Sequence, residues 1–345
     1  MEFDEIMNYD APKNEGVFEE LSAMCGHRKI VPYVGAGLSA FEFPLWDKFI
    51  RDLYKKYRND KMPDDLMVAA GLIEEELGKD NFRKILKKTF GVNRTTADWE
   101  EILNKAKSEA VSVIPKLFSA PIITTNFDQI LEHIHKDIHD FDVALPKNLE
   151  EKITQARQER KRLLYKIHGC VFDDDENIVI AKNDYKKAYE ENLDFIKSLE
   201  NFFLGFHFLF LGCSLEKDKP IELWDSLKKR NVMRHYAILD CKKEKIEERR
   251  KELEDMGIYP ILFESGEFKS VKIILDKLLS EKKANSKKAK ELLDSENELL
   301  KILVKNTSDN DMEAIKKDKE LTSEAKKFFG NISKNALLKY NKNRR

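Results

Sequence analysis

Short apolar runs separated by amphipathic stretches set the rhythm of this chain. Lys29-Ile30-Val31-Pro32-Tyr33-Val34, Pro121-Ile122-Ile123, Leu163-Leu164-Tyr165-Lys166-Ile167, Phe206 to Leu211, His235 to Leu239 and Tyr259 to Phe263 are rich in β-branched and aromatic residues, which predicts buried strands. Between them, helical spacing and scarce glycine predict helices over 17–27, 45–58, 64–78, 80–89 and 98–118, and another from Ile130, Leu131 and Ile134. The charged stretch 150–162 reads as a solvated helix or an exposed loop edge, and Asp173-Asp174-Asp175-Glu176-Asn177 as an acidic hairpin turn leading into Ile178-Val179-Ile180. Such alternation implies an α/β fold: a Rossmann-like, doubly wound, mostly parallel sheet with a helical insertion at about 45–118 and a C-terminal helical tail. A polar stretch, Ala284-Asn285-Ser286-Lys287-Lys288, marks the change of composition, giving a first domain over 1–280 and a charged tail over 281–345.

Three strands end in chemistry. After the first, Gly35, Gly37 and Ala40 have the spacing G-x-G-x-x-G/A, in which glycine lets the backbone turn sharply and approach a pyrophosphate. A dinucleotide dehydrogenase would place a strand with a terminal acid about 20 residues further on. Here Phe49 to Tyr57 has helical spacing instead, so that class is excluded. The second strand closes in Thr124-Thr125-Asn126-Phe127-Asp128, where Asn126 and Asp128 suit either helix capping or a site. The third closes in Lys166-Ile167-His168-Gly169, which puts His168 at the carboxyl end of a strand, where open α/β sheets bind ligands.

With Leu211-Gly212-Cys213-Ser214 after the next strand, the ordered set Gly-Ala-Gly-x-Ser, Thr-x-Asn-x-Asp, His-Gly and Gly-x-Ser resembles the sirtuins, over about residues 28 to 265. Phe43-Pro44-Leu45-Trp46 and Asn183-Asp184-Tyr185 are similar to the zinc-free sirtuin-like branch of bacterial anti-phage defence systems. Two departures stand out: Pro44 is five positions after Ser39, one fewer than in sirtuins, with Glu42 near a usual glycine; and Cys25, Cys170, Cys213 and Cys241 stand singly, without the paired Cys-x-x-Cys of the deacylase zinc module.

The resemblance implies an NAD hydrolase that splits nicotinamide from ribose to leave ADP-ribose, depleting NAD in abortive infection, with NAD as substrate and no zinc. It implies that the backbone of Gly35, Ala36 and Gly37 holds the pyrophosphate with help from Ser39, and that Asn126 orients the ribose or the attacking water. Asp128 would accept from the nicotinamide carboxamide and His168 would act as general base, suited by its ordinary pKa near 6.5. Gly212, Ser214 and, at the end of a later strand, Asp240 would lie on the adenosine side. The partners implied are other copies of the chain and either a HerA-type ATPase or an Argonaute-like protein. An NAD-dependent protein deacylase and a non-catalytic NAD or ADP-ribose sensor are the alternatives.

Charge changes this picture only at the tail. The 345 residues carry 62 Lys+Arg and 63 Asp+Glu, but 281–345 holds 17 against 11, a net of +6, leaving −7 for 1–280. The first domain is thus not built as a nucleic-acid surface. No apolar run is long enough to span a bilayer, and Met1-Glu2-Phe3-Asp4-Glu5 is acidic where a signal peptide is basic, so a cytoplasmic location is expected. On the tail, Leu292, Leu299, Leu300 and Leu303 form an apolar stripe that calls for a partner surface on its own chain or another subunit, and Lys342-Asn343-Arg344-Arg345 is a basic terminus. His135 and His139 are four apart but lack further ligands nearby, as does neighbouring His133; the acidic run 173–177 reads as solvated rather than metal-binding.

Overall fold

A strand buried on both faces has no position for a free polar side chain, and the strands of this sheet obey that rule almost throughout. The computed structural model describes residues 2–25, 30–91, 95–119, 121–135, 141–159, 161–172, 178–215, 219–227 and 233–306. Among these, seven strands form one wholly parallel sheet: β1 (Ile30–Val34), β2 (Ile122–Thr124), β3 (Phe141–Ala144), β4 (Arg162–Lys166), β5 (His207–Leu211), β6 (His235–Cys241) and β7 (Ile258–Glu264), in the order β3-β4-β2-β1-β5-β6-β7. Alternate residues feed two apolar layers: Val34, Ile122, Leu164, Leu209 and Ile238 on one face, Tyr33, Ile123, Tyr165, Phe210 and Ala237 on the other.

Pro32 sits inside central β1, where a missing N–H normally breaks a ladder. Pairing with β2 is confined to Tyr33–Ile123 and Val34–Thr124, so the proline precedes that ladder while β5 pairs along the whole of β1.

The helices lie before, between and after the strands. α1 (Phe3–Asn8) and α2 (Lys13–Cys25) precede the sheet; α3 (Trp46–Tyr57), α4 (Leu66–Leu77), α5 (Lys79–Thr89), α6 (Thr96–Ala106) and α7 (Ile114–Leu117) make up the insertion between β1 and β2. α8 (Ile130–His135), α9 (Leu149–Glu159), α10 (Lys182–Lys186), α11 (Leu193–Gly205), α12 (Lys219–Leu227), α13 (Ile246–Asp255) and α14 (Lys269–Asn306) follow. Local chemistry sets several starts: Asp65 caps α4 through the N–H groups of Met67 and Val68, and Thr95 with Asp98 forms a capping box on α6.

Several expectations need correction. The helix expected over 98–118 is two, because the chain turns after α6 through a 3-10 segment, Ala110–Val113, and Pro115 suits only the first turn of the new helix α7. Strand β3 was not anticipated; its four residues lie at the sheet edge and are only alternately buried. In the charged stretch 150–162 the helix alternative holds: residues up to Glu159 belong to α9, whose Leu149 and Ala156 join the core, and Arg162 opens β4. Ile178, Val179 and Ile180 are buried but form no strand. The acidic run 173–177 and the terminus 342–345 lie outside the described residues, as do the side chains of Leu292, Leu299, Leu300 and Leu303. Met1–Ala284 form one unit and Asn285–Arg345 a second.

Edge strand β7 is sealed by a side chain. Asn14 on α2 donates from Nδ2 to Leu262 O at 2.7 Å and accepts at Oδ1 from Leu262 N at 2.9 Å, as a neighbouring strand would. Its amide also reaches Ile6 O at 3.0 Å and accepts from Arg250 Nη2 at 3.1 Å. Replacing Asn14 by Ala strands a buried N–H and a buried C=O, so Asn14→Ala should lower the unfolding free energy by about 3 kcal/mol in urea titration. A loss below about 0.5 kcal/mol would mean that Asn14 does not seal the edge.

Candidate active site

The strand order brings together what the sequence keeps apart. β4, β2, β1 and β5 are consecutive neighbours in the sheet, so the segments at their carboxyl ends, around His168, Asn126, Gly35 and Gly212, lie side by side. Chain connections from β1 run first to one side of the sheet and return to β5 on the other, which makes the β1/β5 boundary a switch point, where such sheets open a ligand crevice.

At that boundary two turns interlock backbone to backbone. Gly35 N donates to Leu211 O and Gly37 N to Gly212 O, both at 2.9 Å. A Cβ on Gly35 would lie 2.6 Å from Gly212 O, one on Gly37 2.9 Å from Gly212 Cα, and one on Gly212, which has φ +66°, 2.6 Å from Leu38 N. These glycines are needed for close approach of the two turns, and the N–H groups of Gly35 and Gly37 are engaged there rather than available to a pyrophosphate. Ala36 to Ser39 continue as a 3-10 turn, with Ala36 half-buried and Ser39 buried.

Ser39 joins this turn to the end of β2. Asn126 Nδ2 donates to Ser39 Oγ at 3.1 Å, and the serine hydroxyl beside the Asp128 carboxylate favours its charged form. Thr124 Oγ1 donates to Val34 O at 2.8 Å and accepts from Asn126 N at 3.0 Å, which fixes the loop against β1. Asn126 Oδ1 is buried and has no hydrogen-bond partner. Asp128 Oδ1 accepts from Ile130 N at 2.9 Å at the start of α8. Of the two, Asp128 accepts from the start of α8, while Asn126 does not.

Beneath Asp128 lies a buried ion pair that sequence reasoning missed. Lys166, the last residue of β4, is fully buried and donates to Asp128 O and, at 2.9 Å, to Glu132 Oε1. Burial alone would lower its pKa, but Glu132, the Cys170 thiol and Asp128 outweigh this and hold the ammonium above its ordinary value. Burial raises the Asp128 carboxyl, opposed by Lys166. A lysine in the otherwise apolar run Leu163 to Ile167 was the available signal, since a charge in a buried strand needs a partner.

His168 is 5 % exposed; its Nε2 lies 3.0 Å from Tyr189 Oη, and the Tyr185 ring meets it edge-on at 5.2 Å. Burial pushes its pKa down to about 3, so the unliganded ring is neutral and far less basic than the ordinary value suggests. Val179 N donates to His168 O at 3.0 Å, and Arg83 of α5 binds Ile178 O at 3.2 Å and Asp184 Oδ2 at 2.9 Å, tying this loop to the insertion. Neither Arg83 nor Tyr189 stood out in the sequence, because both lie in ordinary charged helical stretches.

On the other flank Ser214 is exposed, and its carbonyl accepts from Arg249 Nη2 at 2.6 Å. Asp240 is exposed on β6 and accepts from Ser265 Oγ at 2.7 Å. His135 is structural: Nδ1 lies 2.6 Å from Leu131 O and the ring meets Phe141 edge-on. His133 stacks on Trp99 at 3.8 Å, and His139 lies outside the described residues. Among the described residues no three His, Cys, Asp or Glu side chains group to hold a metal ion, and no helix is long and apolar enough to cross a membrane.

A wholly parallel, doubly wound sheet with buried Asn126, Ser39, Asp128 and His168 at adjacent strand ends defines an α/β protein with a Rossmann-like fold. Within it, residues 120–261 match the family model of the SIR2-like domain, a stretch that holds Asn126, Asp128, His168, Gly212, Ser214 and Asp240 but begins after the glycine turn. The match supports a sirtuin-like family, whose members are NAD-dependent deacylases or NAD hydrolases, and points to NAD-related activity. No curated protein matches the chain.

His168 and His235 share one consequence for stability. His235 is fully buried, accepts at Nδ1 from Phe208 N at 3.1 Å, and has its pKa pushed down to about 3 by burial and by His207. Between about 3 and the ordinary value near 6.5 the unfolded chain binds more protons than the folded one, so stability is full above that window and falls as pH drops through it. From pH 7 to pH 5 each ring should cost about 2 kcal/mol of unfolding free energy. Urea midpoints that stay level over that range would show that neither ring is held neutral.

Proposed function

We propose that this chain is an NAD glycohydrolase that cleaves the nicotinamide–ribose bond, and that its physiological effect is NAD depletion in anti-phage defence. The observation that carries this reading is the buried, unpartnered Asn126 Oδ1 at the end of β2, between the strand ends that bear the glycine turn and His168. A free acceptor inside such a network suits a ribose hydroxyl or a water.

The chemistry asks for orientation and charge control. Nicotinamide carries positive charge on its ring nitrogen, so breaking the C–N bond releases it neutral and leaves an oxocarbenium-like ribose, to which water adds with loss of a proton. Asn126 orients the ribose or that water, and His168, neutral in its buried setting, supplies a nitrogen lone pair for the proton. Asp128 faces the nicotinamide carboxamide, its loop held from below by Lys166. With Gly35 N and Gly37 N engaged by β5, the pyrophosphate falls to the other N–H groups of the turn, Ala36 first. Gly212 and Ser214 take the adenosine ribose side, with Asp240 beyond them on the neighbouring strand.

Hydrolysis is favoured over deacylation by the cysteines: Cys25 on α2, Cys170 after β4, Cys213 after β5 and Cys241 on β6 stand on four separate elements, with no local pair. An enzyme that destroys NAD needs a gate, and we assign that role to assembly, either with further copies of the chain or with a HerA-type ATPase or Argonaute-like partner.

Nicotinamide release from NAD alone, with no acylated peptide present, is the expected activity of the purified assembly. Asn126→Ala and His168→Ala should each lower kcat by about 100-fold or more with the fold retained in circular dichroism, while His135→Ala costs folded protein rather than turnover per folded molecule. Release that depends on an acylated peptide would turn the assignment to a deacylase, and tight NAD binding without turnover would turn it to a sensor.

A further inference from the structure

Between α10 and α11 the chain makes a single π-helical turn, Lys187–Glu191, closed by Asn192 N to Lys187 O at 3.0 Å. Such i→i+5 turns are rare and are found frequently at functional sites, where the extra residue re-aims a side chain that a regular helix would point elsewhere. The side chain at the middle of this one is Tyr189, whose hydroxyl lies 3.0 Å from His168 Nε2.

The turn is held from both ends. Upstream, Asp184 accepts from Ala181 N at 2.9 Å and pairs with buried Arg83; downstream, Asn192 Oδ1 accepts from Phe195 N at 3.1 Å. Tyr189 itself is wedged between Tyr185, stacked at 5.8 Å, and Phe195, edge-on at 5.1 Å. A tyrosine fixed on two sides by rings and on its backbone by a π turn offers its hydroxyl to His168 in one place only.

A neutral imidazole has one N–H and one bare nitrogen, and the bond made by one nitrogen decides the role of the other. We propose that Tyr189 is the positioning residue of His168: Nε2–H donates to the Tyr189 hydroxyl oxygen, so that Nδ1 is the nitrogen left to accept a proton. This rests on the general-base role given to His168 above, since a base needs its bare nitrogen away from the bond that orients it. Burial of the ring supports the assignment by keeping it neutral, with the hydroxyl-bearing rings of Tyr185 and Tyr189 packed against it.

The test reads the tautomer directly, by 15N NMR of the full chain with labelled histidine, the His168 signals being assigned by their loss in His168→Gln. The wild type should show the Nε2–H form, Tyr189→Phe a mixture of both tautomers, and Tyr185→Phe, which keeps the bonded hydroxyl, the wild-type pattern. An Nδ1–H wild type, an unchanged Tyr189→Phe, or an equal change in Tyr185→Phe would each overturn the proposal. Nicotinamide release from NAD by Tyr189→Phe should show kcat lowered roughly tenfold with KM within about twofold, as expected for misorientation without lost binding. Should the tautomer shift as expected in a chain that does not cleave NAD, the hydrogen bond stands and only the NAD reading falls.

Discussion

Two turns of backbone touch at the carboxyl ends of β1 and β5, and the candidate site is built outward from that contact. Gly35 and Gly37 donate to Leu211 and Gly212 carbonyls, at distances that admit no Cβ on any of the three glycines. Because the contact is backbone on backbone, it cannot relax by a rotamer change; a side chain there would have to separate the turns. Separation would carry Ser39 away from Asn126, and with it the link from the glycine turn to the end of β2. The pair of turns therefore sets the register of the strand ends that the chemistry uses.

Around this contact the interior tolerates an unusual density of buried polar groups, each held by the next. Asn126 leans on Ser39, which lies beside the Asp128 carboxylate, and the Asp128 loop on Lys166, which is itself neutralised by Glu132. Removing one partner from such a chain leaves a buried group uncompensated, so the network is rigid by necessity. Asn126 Oδ1 and Glu132 Oε2, at the two ends of this chain of groups, are left without a hydrogen-bond partner. The helical insertion contributes through Arg83, whose guanidinium holds Asp184 and Ile178 and so fixes the loop that carries the tyrosines facing His168.

The parallel α/β architecture was legible because apolar runs and amphipathic stretches alternate with sharp boundaries, and candidate site residues could be named because they follow those runs directly. β3 escaped notice because a short, half-buried edge strand has too few apolar positions to register. The region 98–118 read as one helix because spacing does not reveal where a 3-10 turn interrupts it. Lys166 was quoted beside His168 without a role, although a charge in a buried strand already required a partner.

By itself the sequence determined which residue types stand at the strand ends, because strand, turn and helix signals are local. Tertiary structure decided what those residues can do. It engaged the Gly35 and Gly37 amides with β5, made His168 neutral and weakly basic, set Tyr189 on its Nε2, and left Asn126 Oδ1 free. Each of these depends on desolvation or on a hydrogen bond between segments far apart in the chain, and such interactions exist only once the sheet has brought the strand ends together.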